Sequence, residues 1–245
     1  KKDAGATFKS NASYIIRNLK FCVEACIDKP SDIAMVTGPI NKENVIHLDK
    51  SFTGHTEYIK KISKSEDVIM MLASKKLKVA LATTHMPLKN VSQNISERLI
   101  YDKVVTLNDE LKNKYNIVKP NIAVLGLNPH AGENGKLGDE EKRFISPALN
   151  KLKRNKVNVS GPMSADTAFT KKNLKTFDVF FGMYHDQVLP VLKALSFGKS
   201  YNITLGVPII RTSVDHGVAL DIAGTGNANT SSLEEAISTA IKLTK

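Results

Sequence analysis

Three histidines each fall just past an apolar run: His85 in LATTHMPL, His130 in LGLNPHAGE and His185 in GMYHDQ. Imidazole is the commonest metal ligand and can move protons near neutral pH. Three imidazoles with one coordination position left open is the layout of a catalytic divalent ion rather than a structural one. Histidine nitrogen suits zinc, cobalt or nickel better than magnesium. The spacing matches no short zinc motif, and any one of these histidines alone reads as a hydrogen-bonded surface residue. What groups them is an equivalent position behind strand-like segments, where open α/β sheets collect ligands.

Other groups fall at similar places. FTGHTEY sets His55 and Thr56 behind a glycine, where a ligand can approach closely, although an ordinary turn reads the same way. Lys193 lies one helix beyond His185 and is otherwise a solvated helix-face lysine. Asn202 in YNITLG faces a ligand or caps a strand edge. Arg211 in PIIRTSV is a guanidinium inside an apolar β run, and a buried guanidinium needs an anionic partner. Lys193 and Arg211 are therefore sited to hold a phosphate or carboxylate. Asp166 in GPMSADTAF can support a ligand, accept a proton or cap a turn.

These side chains need strands and helices to carry them. Ser10 or Asn11 caps a predicted helix with Ile15, Leu19, Cys22, Val23 and Cys26 on one face, ending before Pro30. Strands are predicted in 32–36, 68–74, 77–84, 121–127, 177–183, 201–207 and 208–214. Ser96 opens a helix with Ile100, Val104, Leu107 and Leu111 in register. The Gly-rich loop 128–138 leads to a helix through Leu149 and Leu152, with a restart or kink at Pro147. Asp186 is predicted to cap the helix after 177–183. Ser231 with Glu234, and Ser232 with Glu235, each fit a capping box for the last helix. Strands alternating with helices argue for an α/β layered fold.

Bulk composition narrows the function classes. The chain has 245 residues, 42% of them hydrophobic, enough for one large or two small cores. No apolar run approaches a membrane span, and no basic-then-apolar leader opens the sequence. Cys22 and Cys26, four apart, read as two small core residues on one helix face. Their number excludes a disulfide framework and fits a reducing cytoplasm. The net charge is +11, yet only five of the 35 basic residues are Arg and there is no Trp. The charge reads as a lysine-rich solvated surface rather than a nucleic-acid interface.

The segments VTGPINK, FTGHTEY, ATTHMPL, LNPHAGENG, MYHDQ, YNITLGVPIIRTSVDHG and ALDIAG, in this order, resemble the 4-hydroxythreonine-4-phosphate dehydrogenase family of pyridoxal phosphate biosynthesis. The resemblance runs from about residue 10 to the C-terminus. It implies an isocitrate/isopropylmalate-dehydrogenase-like α/β fold, two α/β/α domains with a cleft between them. On this basis residues 1–50 and 203–245 are expected in the first, NAD-side domain and 51–202 in the second. The family's opening strand and Gly-Asp-Pro-Ala-Gly-rich turn are not in the sequence, which starts at Lys1-Lys2-Asp3 without Met, so the N-terminal part of the first domain is expected to be missing. A homodimer sharing its metal site across the interface is implied. By motif match, His85, His130 and His185 are implied as metal ligands, for zinc, cobalt or magnesium. His55, Thr56, Lys193, Asn202 and Arg211 are implied as substrate contacts, and Asp166 as an active-site aspartate.

No Gly-x-Gly-x-x-Gly follows a strand, so a Rossmann nucleotide site is not expected. DHGVALDIAGTGNAN is instead similar to the adenosine-binding loop of decarboxylating dehydrogenases, which implies His216, Gly217, Asp221 and Asn229 around NAD or NADP. The plain alternative is a Gly-rich turn before the last helix. The implied reaction is oxidation of 4-phosphooxy-L-threonine at its 3-hydroxyl and decarboxylation to 3-amino-2-oxopropyl phosphate, with Asp166 or a metal-bound hydroxide as the base. A paralogue acting on another phosphorylated hydroxy acid, a three-histidine metal hydrolase and a non-catalytic basic binding protein are the rival readings.

Overall fold

Parallel strands buried on both faces need near-continuous apolar runs, and IAVL and VFFG meet that demand with every residue buried. The computed structural model describes residues 9–50, 52 and 54–244. The Lys1-Lys2-Asp3 opening and Thr53 of FTGHTEY lie outside the described residues. The strands are β1 (Met35–Thr37), β2 (Ile69–Ala73), β3 (Lys78–Leu81), β4 (Ile122–Leu125), β5 (Val159–Met163), β6 (Val179–Gly182), β7 (Tyr201–Leu205) and β8 (Arg211–Val214). The chain forms two α/β units, residues 1–68 with 198–245, and residues 69–197. Of the described residues, Phe52, 54–68 and 198–202 thus belong to the first unit rather than the second. The reason is packing: Phe52 and Ile59 enter the first unit's core, and Asn202 sits on β7, which pairs with β8.

In the first unit the strands run β1-β8-β7, with β8 parallel to β1 and antiparallel to β7. The helix Ala12–Asp28 buries Leu19, Val23 and Cys26 against Val45, Phe52, Ile59, Val207 and Ile209. Cys22, expected on that buried face, is exposed. It lies at the edge of the stripe that Leu19, Val23 and Cys26 define, on the side of exposed Phe21. The last helix, Ser231–Thr244, packs Ser232, Ala236, Thr239 and Ala240 inward, and the Thr212 hydroxyl donates to the Ala236 carbonyl. Its start differs from the expected capping boxes. Ser231 already lies inside the helix, so Asn229 Oδ1 accepts from Ser231 N and the Thr230 hydroxyl donates to Glu234. Ser232 is buried and its hydroxyl joins Ser200 O to Asp215 N.

In the second unit the order is β2-β3-β6-β4-β5. β2 and β3 form an antiparallel hairpin closed by Ser74, whose hydroxyl accepts from Lys76 N and Leu77 N. The other pairings are parallel. The helix His185–Ser196 packs on β2, β3 and β6 and covers the face of Leu72, Val79, Leu81, Ala123, Leu125 and Phe180. Residues of opposite parity, such as Met71, Ala80, Val124 and Phe181, are buried as well, so both faces are covered. The helix Glu97–Tyr115 buries Ile100, Val104, Leu107 and Leu111, with the Ser96 hydroxyl accepting from Leu99 N.

β5 falls outside the predicted strands because Ser160-Gly161-Pro162 breaks the apolar pattern. It is tolerated as the strand at one end of this order, where a missing N–H costs no ladder bond. A π-turn over Glu141–Ile145 runs into the helix Ser146–Arg154 at Pro147, the restart expected there. Among the described residues no helix is long and apolar enough to cross a membrane.

Candidate active site

β3, β6 and β4 are parallel neighbours, and His85, His185 and His130 each follow the C-terminal end of one of them. Beyond β3 and β6 the ladder continues into the loops. Ala82 N donates to Gly182 O, Thr83 N to Met183 O, and the Thr83 hydroxyl to Met183 O at 2.7 Å. This stitching brings the His85 and His185 rings to 5.6 Å between centroids. Two imidazoles on one tetrahedral ion, each bound at 2.0–2.1 Å, place their centroids about 5 Å apart. The observed centroid spacing is close to that value. Both rings line a 460 Å³ cavity with Leu88, Tyr184 and Asp186.

Asp186 does not cap the helix; the N-cap is Tyr184, and Asp186 lies in the first turn. Its carboxylate sits 2.7 Å from His185 Nδ1. A carboxylate can only accept, so Nδ1 donates in this contact and Nε2 is the ring nitrogen left to face a metal.

His130 rides on a different device. Residues His130, Ala131, Gly132, Glu133 and Asn134 all have left-handed φ, between 41° and 76°. Four of these are not glycine, each at a cost on the order of 1 kcal/mol. Glu141, 4% exposed, offsets part of that by accepting from Leu127 N and Asn128 N, both at 2.8 Å. His130 Nδ1 stands 3.9 Å from Asp166 Oδ2. The Ser164 hydroxyl, and after it the His130 charge, hold the Asp166 carboxyl below its usual range, so Asp166 is ionised at neutral pH. Among the described residues no three His, Cys, Asp or Glu side chains gather as a metal cluster. The structure pairs His85 with His185 and His130 with Asp166. Lys193 lies half-buried in the last turn of the helix that His185 begins, where the helix dipole favours a cation.

The first unit gathers its own group. Arg211 and Ser213 on β8, Thr37 on β1, and Asn202 and Thr204 on β7 share one face of the strands. Arg211 is 3% exposed, donating from Nη1 to Thr204 Oγ1 at 3.1 Å and from Nη2 to Thr37 Oγ1 at 2.7 Å. Burial lowers its pKa to about 10, with Glu57 opposing the shift. Arg211 Nε has no acceptor, and buried Asn202 Oδ1 has no donor. Unsatisfied buried polar atoms are costly and point to a missing ligand. His55 opens the helix His55–Ser63, with Thr56 half-buried behind it. Its pKa falls to about 4, through burial first and then the charges of Arg211 and Lys42. His55 is thus a neutral imidazole beside two cations, a setting made for an anion.

Thr37, Thr204 and Lys42 escaped the sequence reading. Thr37 and Lys42 stand in VTGPINK without a role of their own, and Thr204 is tied to Arg211 by strand register, which spacing alone does not reveal. The residues expected at NAD all lie on the exposed segment between β8 and the last helix. His216 Nδ1 lies 2.9 Å from Gly217 O, and Gly217 has open space where a Cβ would be. Asp221 sits in a 3₁₀ turn, Leu220–Ile222, and Asn229 caps the last helix.

A family model described as pyridoxal phosphate biosynthetic protein PdxA matches residues 2–240. A curated relative, the 4-hydroxythreonine-4-phosphate dehydrogenase of Ectopseudomonas mendocina, is 46% identical over 240 residues, covering 98% of this chain and 71% of the relative. The crystal structure of 4-hydroxythreonine-4-phosphate dehydrogenase from Klebsiella pneumoniae superposes with a TM-score of 0.88 at 35% identity, covering 98% of this chain and 73% of that one. Isocitrate dehydrogenase from Methylococcus capsulatus, with a TM-score of 0.53 at 10% identity over 84% of this chain and 67% of that one, shares the fold alone.

Proposed function

We propose that this chain, which belongs to the pyridoxal phosphate biosynthetic protein PdxA family, is a dehydrogenase of pyridoxal phosphate biosynthesis that oxidises 4-phosphooxy-L-threonine at its 3-hydroxyl with loss of the carboxylate, giving 3-amino-2-oxopropyl phosphate. The observation that carries the reading is Arg211: a buried guanidinium held by two neutral hydroxyls, with Nε unsatisfied and Asn202 Oδ1 unsatisfied on the same face. A phosphorylated substrate supplies the negative charge and an acceptor for Arg211 Nε, and its ammonium or hydroxyl supplies the donor that Asn202 Oδ1 lacks.

In this reading Arg211, Asn202, His55 and Thr56 hold the phosphate. His55 remains neutral and can donate one hydrogen bond without adding a third charge. His85 and His185 hold a divalent ion, His185 with its proton fixed on Nδ1 by Asp186. His130 completes the set from its loop. When bound, the ion supplies Lewis acidity to the substrate hydroxyl and NAD accepts the hydride, a division of labour that leaves the protein to bind and orient. Lys193 pairs with an anionic group of the substrate. Asp166, ionised and exposed, takes the hydroxyl proton. His216, Gly217, Asp221 and Asn229 form the dinucleotide loop, and two copies of the chain assemble as the active form.

The test is absorbance at 340 nm with NAD and 4-phosphooxy-L-threonine, with EDTA and then with zinc, cobalt or magnesium restored. NADH formation that EDTA stops and metal restores supports the reading. Phosphate release without NADH assigns a hydrolase instead.

A further inference from the structure

Backbone hydrogen bonds carry the β3–β6 ladder into the loops of His85 and His185, but the β6–β4 register ends at Val124↔Phe181. One side chain spans the gap. Gln187 Oε1 accepts from Met183 N at 2.7 Å, and Gln187 Nε2 donates to Gly126 O at 2.6 Å. We propose that Gln187 is a positioning residue for the reaction: its amide adds one link to the ladder and fixes the loop of His130 against the helix start that bears His185. The assignment rests on the metal reading given above.

The chemistry is specific to glutamine. The bridge needs a donor and an acceptor in one planar group at the end of a two-methylene arm. Glutamate offers only acceptors, and its second oxygen would face the Gly126 carbonyl. Asparagine is one methylene shorter. A Cβ on Gly182 would lie 3.3 Å from Gln187 Oε1. A Cβ on Gly126 would lie 2.9 Å from both Ala131 Cα and Glu141 Oε1. The residue-126 position is gripped on both sides, with Gly126 N donating to Met163 O and Gly126 O accepting from Gln187. Four residues on, the chain enters the left-handed run that presents His130. His185 lies two residues before Gln187, so one amide couples both histidines through short stretches of backbone.

The experiment compares wild type with Gln187→Met, which loses both bonds, and Gln187→Glu, which keeps the Met183 link and is the milder change if Gln187→Met fails to fold. Hydrogen exchange of the metal-free chain should quicken about tenfold or more across 126–135 while β2 and β3 stay protected. Calorimetric titration with zinc chloride should show affinity reduced about 10–100-fold, and kcat should fall with KM for NAD unchanged. Unchanged exchange at 126–135 overturns the proposal. Faster exchange with wild-type zinc affinity and kcat also overturns it, leaving Gln187 a purely structural link. A wild-type chain that binds no zinc overturns the metal reading and this role with it, while the exchange data, taken without metal, separate that failure from the absence of the bridge.

Discussion

Arg211 reaches across the parallel β1–β8 pair to Thr37, Nη2 to Oγ1 at 2.7 Å, and this neutral hydroxyl stands where a buried guanidinium would ordinarily meet a carboxylate. Thr204 does the same from β7. The two hydroxyls orient the cation without neutralising it, and the Glu57 charge offsets only part of the effect of burial, so the guanidinium stays available to a ligand. A ligand that binds only the folded state at a hundred times its Kd adds about 2.7 kcal/mol of stability. Inorganic phosphate should therefore raise the Tm of the wild-type chain in a concentration-dependent way. Arg211→Met should remove that shift. Arg211→Lys, which keeps charge but loses the fork, should raise KM for a phosphorylated substrate about tenfold or more. Thermal melts with phosphate, and an unchanged KM in Arg211→Lys, are the measurements that decide.

His55 makes stability depend on pH in a defined window. Its folded pKa is about 4 against an ordinary 6.5, so the unfolded chain binds the extra proton between those values. Stability then rises with pH across the window: it is fully present above 6.5 and is lost as pH falls toward 4. The size is about 3 kcal/mol from the two values. Urea midpoints measured from pH 4 to 7 should slope upward in wild type and less steeply in His55→Gln. Equal slopes in the two proteins would place His55 in water.

The strand-end histidines were legible because the pattern of apolar run, loop and imidazole is local. β3, β4 and β6 are short buried runs, and each histidine follows within a few residues. Arg211 stood out for the same reason, as one charge inside an apolar run. Its partners did not, because Thr37 and Thr204 become its neighbours only through the β1-β8-β7 register. β5 was hidden by Gly161-Pro162, and Asp186 looked like a cap because its pairing with His185 depends on ring orientation rather than spacing. The same holds for Glu141 and the loop it supports: the left-handed run over 130–134 is a tertiary choice that Glu and Asn propensities do not announce.

Gly161 has φ +136°, and a Cβ there would collide with the Val124 carbonyl. That backbone atom belongs to β4 and cannot move without breaking the pairing that continues through Met163. Gly161→Ala should cost about 2 kcal/mol or more, from the unfavourable backbone region and the steric clash together. Chemical denaturation should show a lower midpoint with little change in slope. Retention of wild-type stability would mean that β5 pairs differently with β4.

His85 and His185, with centroids 5.6 Å apart, should lose metal binding separately but not additively, since each ring is half of one site. His185→Ala should abolish zinc binding in calorimetry and, with it, turnover. The fold should survive, because the His185 side chain is 35% exposed and packs no core. Asp186→Asn offers the finer test. It keeps the shape of the side chain but removes the carboxylate that holds the proton on Nδ1, so either ring tautomer becomes available and Nε2 is no longer reserved for the ion. Zinc affinity should drop about 10–100-fold without loss of Tm. If Asp186→Asn binds zinc as wild type does, the His185–Asp186 contact is incidental; if His185→Ala does, the imidazole pair is not the metal site.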